Sequence, residues 1–278
     1  NKPGLHTKHL YFSKNNLDKL LSNFPDSTKK WQDGFIFENG EMKKISLRYL
    51  GDNLNNWIFE NKSFKLKYSK KNFESKYRSF DYFTPILNPE NKFDFTRVVS
   101  HYLLEKFGNI SPKVRMVEIR MNGKNKGIYF EIPKLDELFL RQNNIMPVNI
   151  YKGENNNREV KIGLDINLFN NPALWSKVSV FNQTDINDKS DLKYFLKLLV
   201  DFQKNLISPD FFFSKIPADV WAKFLISGAS DHGGDDQNQR LLSDPWTGHY
   251  YPLPVDSAFD INHLFKHNID RNFFNYRD

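Results

Sequence analysis

The chain has 278 residues, and its 40 Lys and Arg residues outnumber 33 Asp and Glu residues for a formal net charge of +7. It contains no cysteine, which excludes thiolate zinc sites, iron–sulfur clusters, disulfides and thiol nucleophiles. Hydrophobic residues make up 39% and aromatic residues 15%, a composition that argues against a disordered chain. No apolar run is long enough to span a membrane. The chemistry must therefore use Asp, Glu, His, Lys, Arg or hydroxyl groups.

The positive charge is spread along the chain and does not form a basic arm. The densest basic stretch, Lys62–Lys76, alternates lysine with Phe, Leu and Tyr. This alternation is typical of a half-buried strand. We therefore do not expect nucleic acid to be the main partner.

The first half of the chain shows strand patterns joined by turn signals. A short strand at Leu10–Phe12 precedes a helix that Ser13 caps and that carries Leu17, Leu20 and Leu21. Apolar and polar residues then alternate over three further strands, with Asn39-Gly40 as a hairpin turn. These strands are Gly34–Phe37, Ile45–Leu50 and Ser63–Tyr68.

A helix and a second hairpin follow. Residues Phe95–Phe107 have helical spacing, with Val98, Val99, Tyr102, Leu103 and Phe107 on the expected apolar face and Gly108 as the C-terminal cap. His101 on this helix is expected to be a packing or surface residue. Asn122-Gly123 joins strands at Val114–Met121 and Gly127–Ile132, and Leu135–Arg141 is predicted to be helical.

The second half is richer in helices. A polar and irregular stretch, Asn155–Lys189, has Trp175 as a lone anchor, and helices are predicted at Leu192–Leu206 and Pro217–Ile226. We expect an α+β protein with a sheet-rich nucleotide-binding lobe over residues 1–150 and a helical catalytic and metal-binding lobe over residues 151–278.

Acidic and amide side chains concentrate late in the chain. The loop Ser230–Asn238 holds Asp231, Asp235, Asp236 and Asn238, and a predicted strand at Tyr250–Val255 ends on Asp256. Carboxylate and amide oxygens suit a hard cation such as Mg²⁺ or Mn²⁺. One Asp of such a set can instead orient a hydroxyl nucleophile for phosphoryl transfer. A solvated turn is the alternative, because Asp and Gly are common turn residues.

Six segments in chain order resemble the CotH (spore-coat protein H) kinase family, which comprises atypical secreted or surface-associated kinases with a protein-kinase-like fold. The likeness runs from about Leu10 to about Asp260. The segments are Ile45–Asn53 with Trp57, Lys62–Lys67, Asn122-Gly123 with Gly127–Tyr129, Ile150–Lys152, Asp231–Asn238, and Pro252–Asp256. The resemblance implies a two-lobed protein-kinase-like fold, with an antiparallel-sheet N-lobe and a helical C-lobe.

The resemblance also implies residues that contact the nucleotide. Lys62 or Lys65 would contact the phosphates of ATP, because an ammonium on a flexible stem acts as a point charge. Arg48 would support that site, and Glu131 and Lys152 complete the expected set. Lys65 on the wet face of an edge strand and Arg48 as a surface ion-pairing residue are the alternatives.

On the catalytic side, the resemblance implies that Asp231 orients and deprotonates the acceptor hydroxyl. Asn238 would hold Mg²⁺, and Asp256 would bridge the metal to the phosphates. Asp231 and Asn238 are further apart in sequence than in an ordinary kinase catalytic loop, so Asp235 or Asp236 is an alternative base.

Three positions depart from the family pattern. Leu50 replaces an arginine, Val255 replaces the tryptophan before the metal-binding Asp, and Pro133 stands where a glutamate is expected. Glu131 lies nearby, although we expect it on the opposite face of the strand. These departures leave open a weakened enzyme or another transfer reaction on the same scaffold, such as AMPylation or glutamylation.

Other classes of function remain as alternatives. One is an inactive, pseudokinase-type binding protein, and another is a polysaccharide hydrolase that uses Asp231 and Asp256 as acid and base. A zinc site built from His263 and His267 with Asp260 lacks the glutamate of the usual metalloprotease helix.

The favoured hypothesis is an ATP- and Mg²⁺- or Mn²⁺-dependent kinase. Its acceptor is expected to be a Ser or Thr hydroxyl of a secreted or envelope protein, or else a cell-surface polymer. The expected location is therefore outside the cell or in its envelope, and the absence of cysteine is compatible with this.

Overall fold

A computed structural model describes residues 5–22, 24, 26, 30–50, 60–69, 79–85, 95–154, 168–178, 187–228 and 239–255. The chain divides into two compact units. The first contains Asn1–Phe95 and Pro112–Phe139, and the second contains Thr96–Ser111 and Leu140–Asp278. Sheets and helices together confirm the α+β class, whereas the protein-kinase-like architecture and the division near residue 150 stay predictions.

The first unit is built on seven strands that close into a barrel in the order β1-β2-β3-β4-β5-β7-β6. Neighbouring strands are antiparallel except β1 and β6, whose parallel pairing closes the barrel. The strands are β1 (His6–Tyr11), β2 (Gln32–Glu38), β3 (Glu41–Tyr49), β4 (Phe64–Tyr68), β5 (Ser79–Phe83), β6 (Arg115–Met121) and β7 (Lys124–Pro133). Helix α1 (Lys14–Leu21) follows β1.

Local sequence signals account for the turns of this unit. The Ser13 hydroxyl accepts a hydrogen bond from the Asn16 N–H at the start of α1, as predicted for the capping residue. Asn39-Gly40 and Asn122-Gly123 join their strands with positive φ at both positions, which is the backbone that a two-residue type I′ hairpin requires. The two predicted hairpins are therefore confirmed.

Alternation decides which side chains fill the barrel. From Ile45 onward in β3, and throughout β4, every second residue is buried, so Lys65 and Lys67 lie on the outer face. The alternative interpretation put Lys65 on the wet face of an edge strand; its outward position agrees with that alternative, but β4 is not an edge strand, because it pairs with both β3 and β5. Buried strand residues include Leu10, Ile36, Ile45, Leu47, Phe64, Leu66, Tyr82, Val117 and Ile119.

Helix α2 (Thr96–Lys106) of the second unit has the predicted bounds within one residue, and Gly108 adopts positive φ after it. The predicted apolar face is wrong. Val99, Tyr102 and Phe107 are exposed, whereas Ser100 and His101 are buried with Leu104. The helix packs through a largely polar face because its serine and histidine find hydrogen-bond partners there.

The second unit also holds a four-stranded antiparallel sheet in the order β11-β10-β8-β9. Its strands are β8 (Asn149–Gly153), β9 (Trp175–Lys177), β10 (Gln239–Asp244) and β11 (His249–Pro252). Strand β9 falls in the stretch predicted to be irregular, and Trp175 is buried against Leu168 and Gly153 as the expected anchor. A short 3₁₀ helix, Pro172–Leu174, precedes it.

Four further helices lie in the described part of the chain: α3 (Glu137–Gln142), within which the division between the two units falls, and α4 (Ser190–Gln203), α5 (Pro209–Phe213) and α6 (Ala218–Gly228) of the second unit. The sequence predicted α3, α4 and α6 but not α5, which has only five residues. Ser208 caps α5, and Phe212 of this helix stacks on Phe202 with ring centroids 4.1 Å apart. The core of this unit includes Tyr151, Trp175, Leu192, Phe195, Trp221, Leu241 and Tyr250.

Candidate active site

Charged side chains meet at one end of the four-stranded sheet. Lys152 on β8 lies opposite Arg240 on β10. Both approach the Glu154 carboxylate: Lys152 Nζ forms a close ion pair with Glu154 Oε1, and Arg240 Nη2 lies 3.7 Å from the same oxygen. Two cations thus share one carboxylate, and the net positive charge of the three suits a phosphate group.

The β10–β11 hairpin brings two chain segments to this same end. Gln239 begins β10 opposite Gly153, and the Leu253 N–H, just after β11, donates to the Arg240 carbonyl at 3.0 Å. Gln239 directly follows the predicted metal ligand Asn238, and Leu253 stands three residues before Asp256. The described register thus ends beside the two segments that hold Asn238 and Asp256, and the roles of these two residues stay predictions.

The predicted catalytic and metal-binding residues themselves lie outside the described residues. These are Asp231, Asp235, Asp236, Asn238 and Asp256, and the alternative zinc residues Asp260, His263 and His267 lie outside them too. Within the described ranges, no group of three or more His, Asp or Glu side chains is arranged to hold a metal ion. The metal-binding roles therefore stay predictions for Asn238 and Asp256.

Arg48 and Lys65 lie together on the outer face of the barrel. They are direct cross-strand partners on β3 and β4, and Lys65 Nζ forms an ion pair with Asp81 at 3.2 Å. The Arg48 guanidinium lies 5.3 Å from the centre of the Trp31 ring, and Lys67 Nζ lies 4.3 Å from the same ring. On the outer face, the cations of Arg48 and Lys67 therefore both lie against the Trp31 indole ring.

Lys62 occupies a different place, at one mouth of the barrel. It precedes β4 and lines a small cavity together with Lys126 and Glu60. Burial, and after it the nearby charge of Lys126, lower the pKa of Lys62. The structure therefore separates Lys62 from Lys65, although the two were predicted as alternatives for one role.

Glu131 is fully buried inside the barrel, where it binds three partners. Its carboxylate accepts Lys8 Nζ and the Tyr82 hydroxyl, each at 2.5 Å, and Arg115 Nε at 2.7 Å. The expectation that Glu131 points away from the face of Pro133 is wrong. Both residues are buried, since positions two apart on a strand share a face.

The electrostatics of this cluster keep Glu131 ionised. Burial would raise the pKa of its carboxyl, but the charges of Lys8 and Arg115, with hydrogen bonds from Lys8 and Tyr82, hold that pKa below its ordinary value. The pKa of Tyr82 is raised, first by burial and then by the charge of Glu131. Tyr82 therefore remains a hydrogen-bond donor to a carboxylate.

Sequence reasoning missed the partners of Glu131: Lys8, Tyr82 and Arg115. A signal was present, because Lys8 shares a strand face with the buried Leu10, and a lysine on an apolar face needs a partner. Tyr82, Glu131 and Arg115 are direct neighbours across β5, β7 and β6. Only the register of the barrel identifies these partners.

The sequence model of the CotH kinase protein family matches residues 47–220, which are 174 of the 278 residues. Because the match covers more than half of the chain, this chain belongs to the CotH kinase family. Arg48, Lys62, Lys65, Glu131 and Lys152 lie within the matched segment, and the predicted residues from Asp231 onward lie beyond it. A search among curated proteins returns no match. Across the described residues, no helix meets the length and hydrophobicity needed to cross a membrane.

Proposed function

We propose that this chain is an ATP- and divalent-metal-dependent phosphotransferase that modifies Ser or Thr hydroxyls of a secreted or envelope protein. The observation that carries the proposal is membership of the CotH kinase family, which makes a kinase-like transferase the favoured class. The register that brings Lys152, Arg240 and the neighbours of Asn238 and Asp256 to one end of a sheet supports it further.

The residues present suit a nucleotide with a hard cation. Lys62 or Lys65, with Arg48, would bind phosphate oxygens, and Lys152 would add a further cation. Asn238 and Asp256 offer the oxygen ligands that Mg²⁺ or Mn²⁺ takes, and the metal, when bound, neutralises charge on the phosphates. Asp231, or Asp235 in its place, would orient the acceptor hydroxyl and take its proton.

Incubation with labelled ATP and Mg²⁺ or Mn²⁺, followed by mass spectrometry, tests the proposal. We expect a mass increase of one phosphate on Ser or Thr of an acceptor protein. Transfer of AMP or glutamate would replace phosphorylation with another reaction on this family's scaffold. The absence of transfer and of any metal-dependent nucleotide binding would support an inactive binding protein.

A substitution at Asp256 is the most direct single-residue test of the proposed metal site. Asp256→Asn removes a charge from the proposed metal site, so we expect transfer to fall at least about a hundredfold, since a loss of about 3 kcal/mol of transition-state stabilisation corresponds to that factor. Asp244→Asn is the matched control, because Asp244 lies at the opposite end of β10, where it accepts hydrogen bonds from Trp246 N and the Thr247 hydroxyl. Equal transfer by wild type and Asp256→Asn would remove Asp256 from the mechanism.

A further inference from the structure

The outer surface of strands β1, β2 and β3 carries a patch of aromatic and apolar side chains, which we call the aromatic face. It consists of His9, Tyr11, Phe35, Phe37 and Met42. Tyr11 lies directly opposite Phe35 and His9 opposite Phe37 across β1 and β2, while Phe37 lies opposite Met42 across β2 and β3. Positions two apart on a strand share a face, so these five side chains are neighbours on one surface of the first unit.

The aromatic face is open to solvent. Residues Tyr11, Phe35, Phe37 and Met42 are between 39% and 55% exposed, whereas the residues that alternate with them on β1 and β2 fill the barrel. The His9 and Phe37 rings meet edge to face, with centroids 6.4 Å apart. In the part of the chain that the structure describes, neither Tyr11 nor Phe35 stacks on another aromatic ring. A contiguous exposed apolar patch of this kind marks a binding surface.

Charged side chains border the aromatic face, and they are paired with one another. Lys44, beside the face on β3, forms an ion pair with Asp33 at 3.3 Å. Arg120, beside it on β6, forms an ion pair with Glu118 at 3.4 Å. These two pairs therefore carry no net charge, and they offer both hydrogen-bond donors and hydrogen-bond acceptors to a partner.

This charge balance indicates which partner the aromatic face fits. A nucleic acid or an anionic membrane is bound by an excess of cations, whereas Lys44 and Arg120 each have a carboxylate beside them. A neutral sugar chain needs no such excess. Its hydroxyls both donate and accept hydrogen bonds, and the C–H groups on the face of a sugar ring stack on aromatic rings. The aromatic face and its mixed border match both properties.

Two other kinds of partner fit this surface less well. Four side chains, each about half exposed and each about 200 Å² in full, offer on the order of 400 Å² in one chain. Two copies face to face would then bury about 800 Å², below the roughly 1,200 Å² of stable interfaces. An amphipathic helix needs a hydrophobic groove, whereas the outside of a barrel is convex.

We infer that the aromatic face binds a neutral, β-linked polysaccharide. Its sugar rings stack on Tyr11, Phe35 and Phe37, and its hydroxyls form hydrogen bonds with the paired side chains on the border. The β-linkages keep successive sugar rings extended, so that one chain contacts side chains on neighbouring strands. The inference goes beyond the proposed function, since it involves neither a nucleotide nor a transferred group.

Calorimetric titration of the full chain with cellohexaose and chitohexaose tests the inference. Phe35→Ala removes a stacking ring from the face, so we expect at least about a tenfold weaker Kd. Phe211→Ala is the matched control, because Phe211 is a similarly exposed phenylalanine, at 43%, on α5 of the second unit. The control should bind within about twofold of wild type, and Phe35→Tyr, which keeps the ring, should retain most of the affinity.

Thermal unfolding without sugar distinguishes lost binding from lost folding. The Phe35 side chain points out of the barrel, so the Tm of Phe35→Ala should stay within about 3 °C of that of wild type. Met42→Gln changes the same face at an exposed position on β3 and gives a second variant, in which we expect weaker sugar binding at an unchanged Tm. Full affinity in both Phe35→Ala and Met42→Gln would overturn the inference.

Three further results would also overturn the inference. The first is that wild type binds neither oligosaccharide. The second is that an oligothymidylate, and no sugar, binds in a manner that depends on Phe35 and weakens with added salt, which would make the face a nucleic-acid site. The third is that light scattering shows a dimer that Phe35→Ala dissociates while no sugar binds, which would make the face an interface between copies of the chain. Binding of a neutral oligosaccharide that depends on Phe35 and is unaffected by salt supports the inference.

Discussion

Glu131 shows how one residue organises the interior of the barrel. Its carboxylate is fully buried and is shared by Lys8, Arg115 and the Tyr82 hydroxyl, and Lys8 also lies 3.3 Å from Glu38. A buried ion pair of this kind costs much desolvation energy, so it is weak evidence for stability in itself. Removing one partner of the pair is nevertheless strongly destabilising, because the remaining charge is left uncompensated inside the protein.

This asymmetry gives a stability prediction. Glu131→Gln removes the charge that faces Lys8, whose side chain is only 8% exposed, so we expect a loss of about 3 kcal/mol or more in the free energy of unfolding. Arg115 contributes less, since its side chain is 57% exposed and can turn to water. Urea unfolding followed by circular dichroism measures the change.

Glu41→Gln is the control, because the Glu41 side chain is 61% exposed and its ion pair with Lys43, at 3.5 Å, is therefore open to water on the glutamate side. Its effect should stay within about 0.5 kcal/mol. Similar small losses in both variants would show that Glu38 and water compensate Lys8 fully. The cluster would then not be a source of barrel stability.

At the scale of the element, two hydrogen bonds join α2 and the loop after it to α6. The Ser100 hydroxyl of α2 donates to the Ser227 carbonyl at 2.6 Å, and Asn109 Nδ2 donates to the Val220 carbonyl at 2.9 Å. The Ser227 carbonyl belongs to the last turn of α6, where the helix supplies no partner of its own. Ser100 thus acts as a C-terminal cap provided by another helix, three residues before the predicted acidic loop begins.

Removing this cap should destabilise the second unit. Ser100→Ala leaves a buried carbonyl without its hydroxyl donor, and we expect a loss of about 1–3 kcal/mol in the free energy of unfolding. Ser214→Ala is the matched control, since its exposed hydroxyl also donates to a helix carbonyl, that of Phe211 at 2.7 Å, and water can replace it. If both variants lose the same small amount, the Ser227 carbonyl has found another donor.

Local chemistry was sufficient to predict some elements and insufficient for others. The Ser13 cap, the Asn-Gly hairpins and the glycine after α2 are encoded within a few residues, so the sequence predicts them. Helix α5 is too short for periodicity, and the buried face of α2 depends on α6, more than 100 residues later. Partners far away in the sequence determine which face of such a helix is buried, and a hydrophobic pattern along the chain does not identify those partners.

At the scale of the whole molecule, the barrel closes through a parallel strand pairing that no local sequence pattern predicts. Strand β1 lies parallel to β6, with His6 opposite Val117 and Leu10 opposite Met121. The sequence predicted a mostly antiparallel sheet but not its closure, which buries Lys8 and Glu131 together. For the candidate site, the order of family motifs identified Lys152 and its strand. The contribution of Arg240 and Glu154 emerged only from the register of β8 and β10.

The acid stability of the protein should depend on His101. This imidazole is buried on α2 with Nδ1 2.9 Å from the Ser111 hydroxyl, and burial, together with the charge of Arg97, lowers its pKa from 6.5 to about 3. The folded state therefore binds fewer protons than the unfolded state between these values. The stabilisation is complete above pH 6.5 and is lost as the pH falls toward 3, by about 2 kcal/mol at pH 5.

Unfolding free energies measured between pH 7 and pH 5 test this dependence. His101→Asn removes the titrating group, so its stability should fall by about 2 kcal/mol less than that of wild type over this range, whatever its stability at pH 7. The change in unfolding free energy between pH 7 and pH 5 reports proton linkage, whereas a difference in unfolding free energy at one pH also includes the packing lost in the variant. In wild type, the NMR signals of the His101 ring should stay those of a neutral imidazole at pH 5. A protonated ring in the folded protein at that pH, or parallel stability curves for the two proteins, would mean that the buried face of α2 admits the charge.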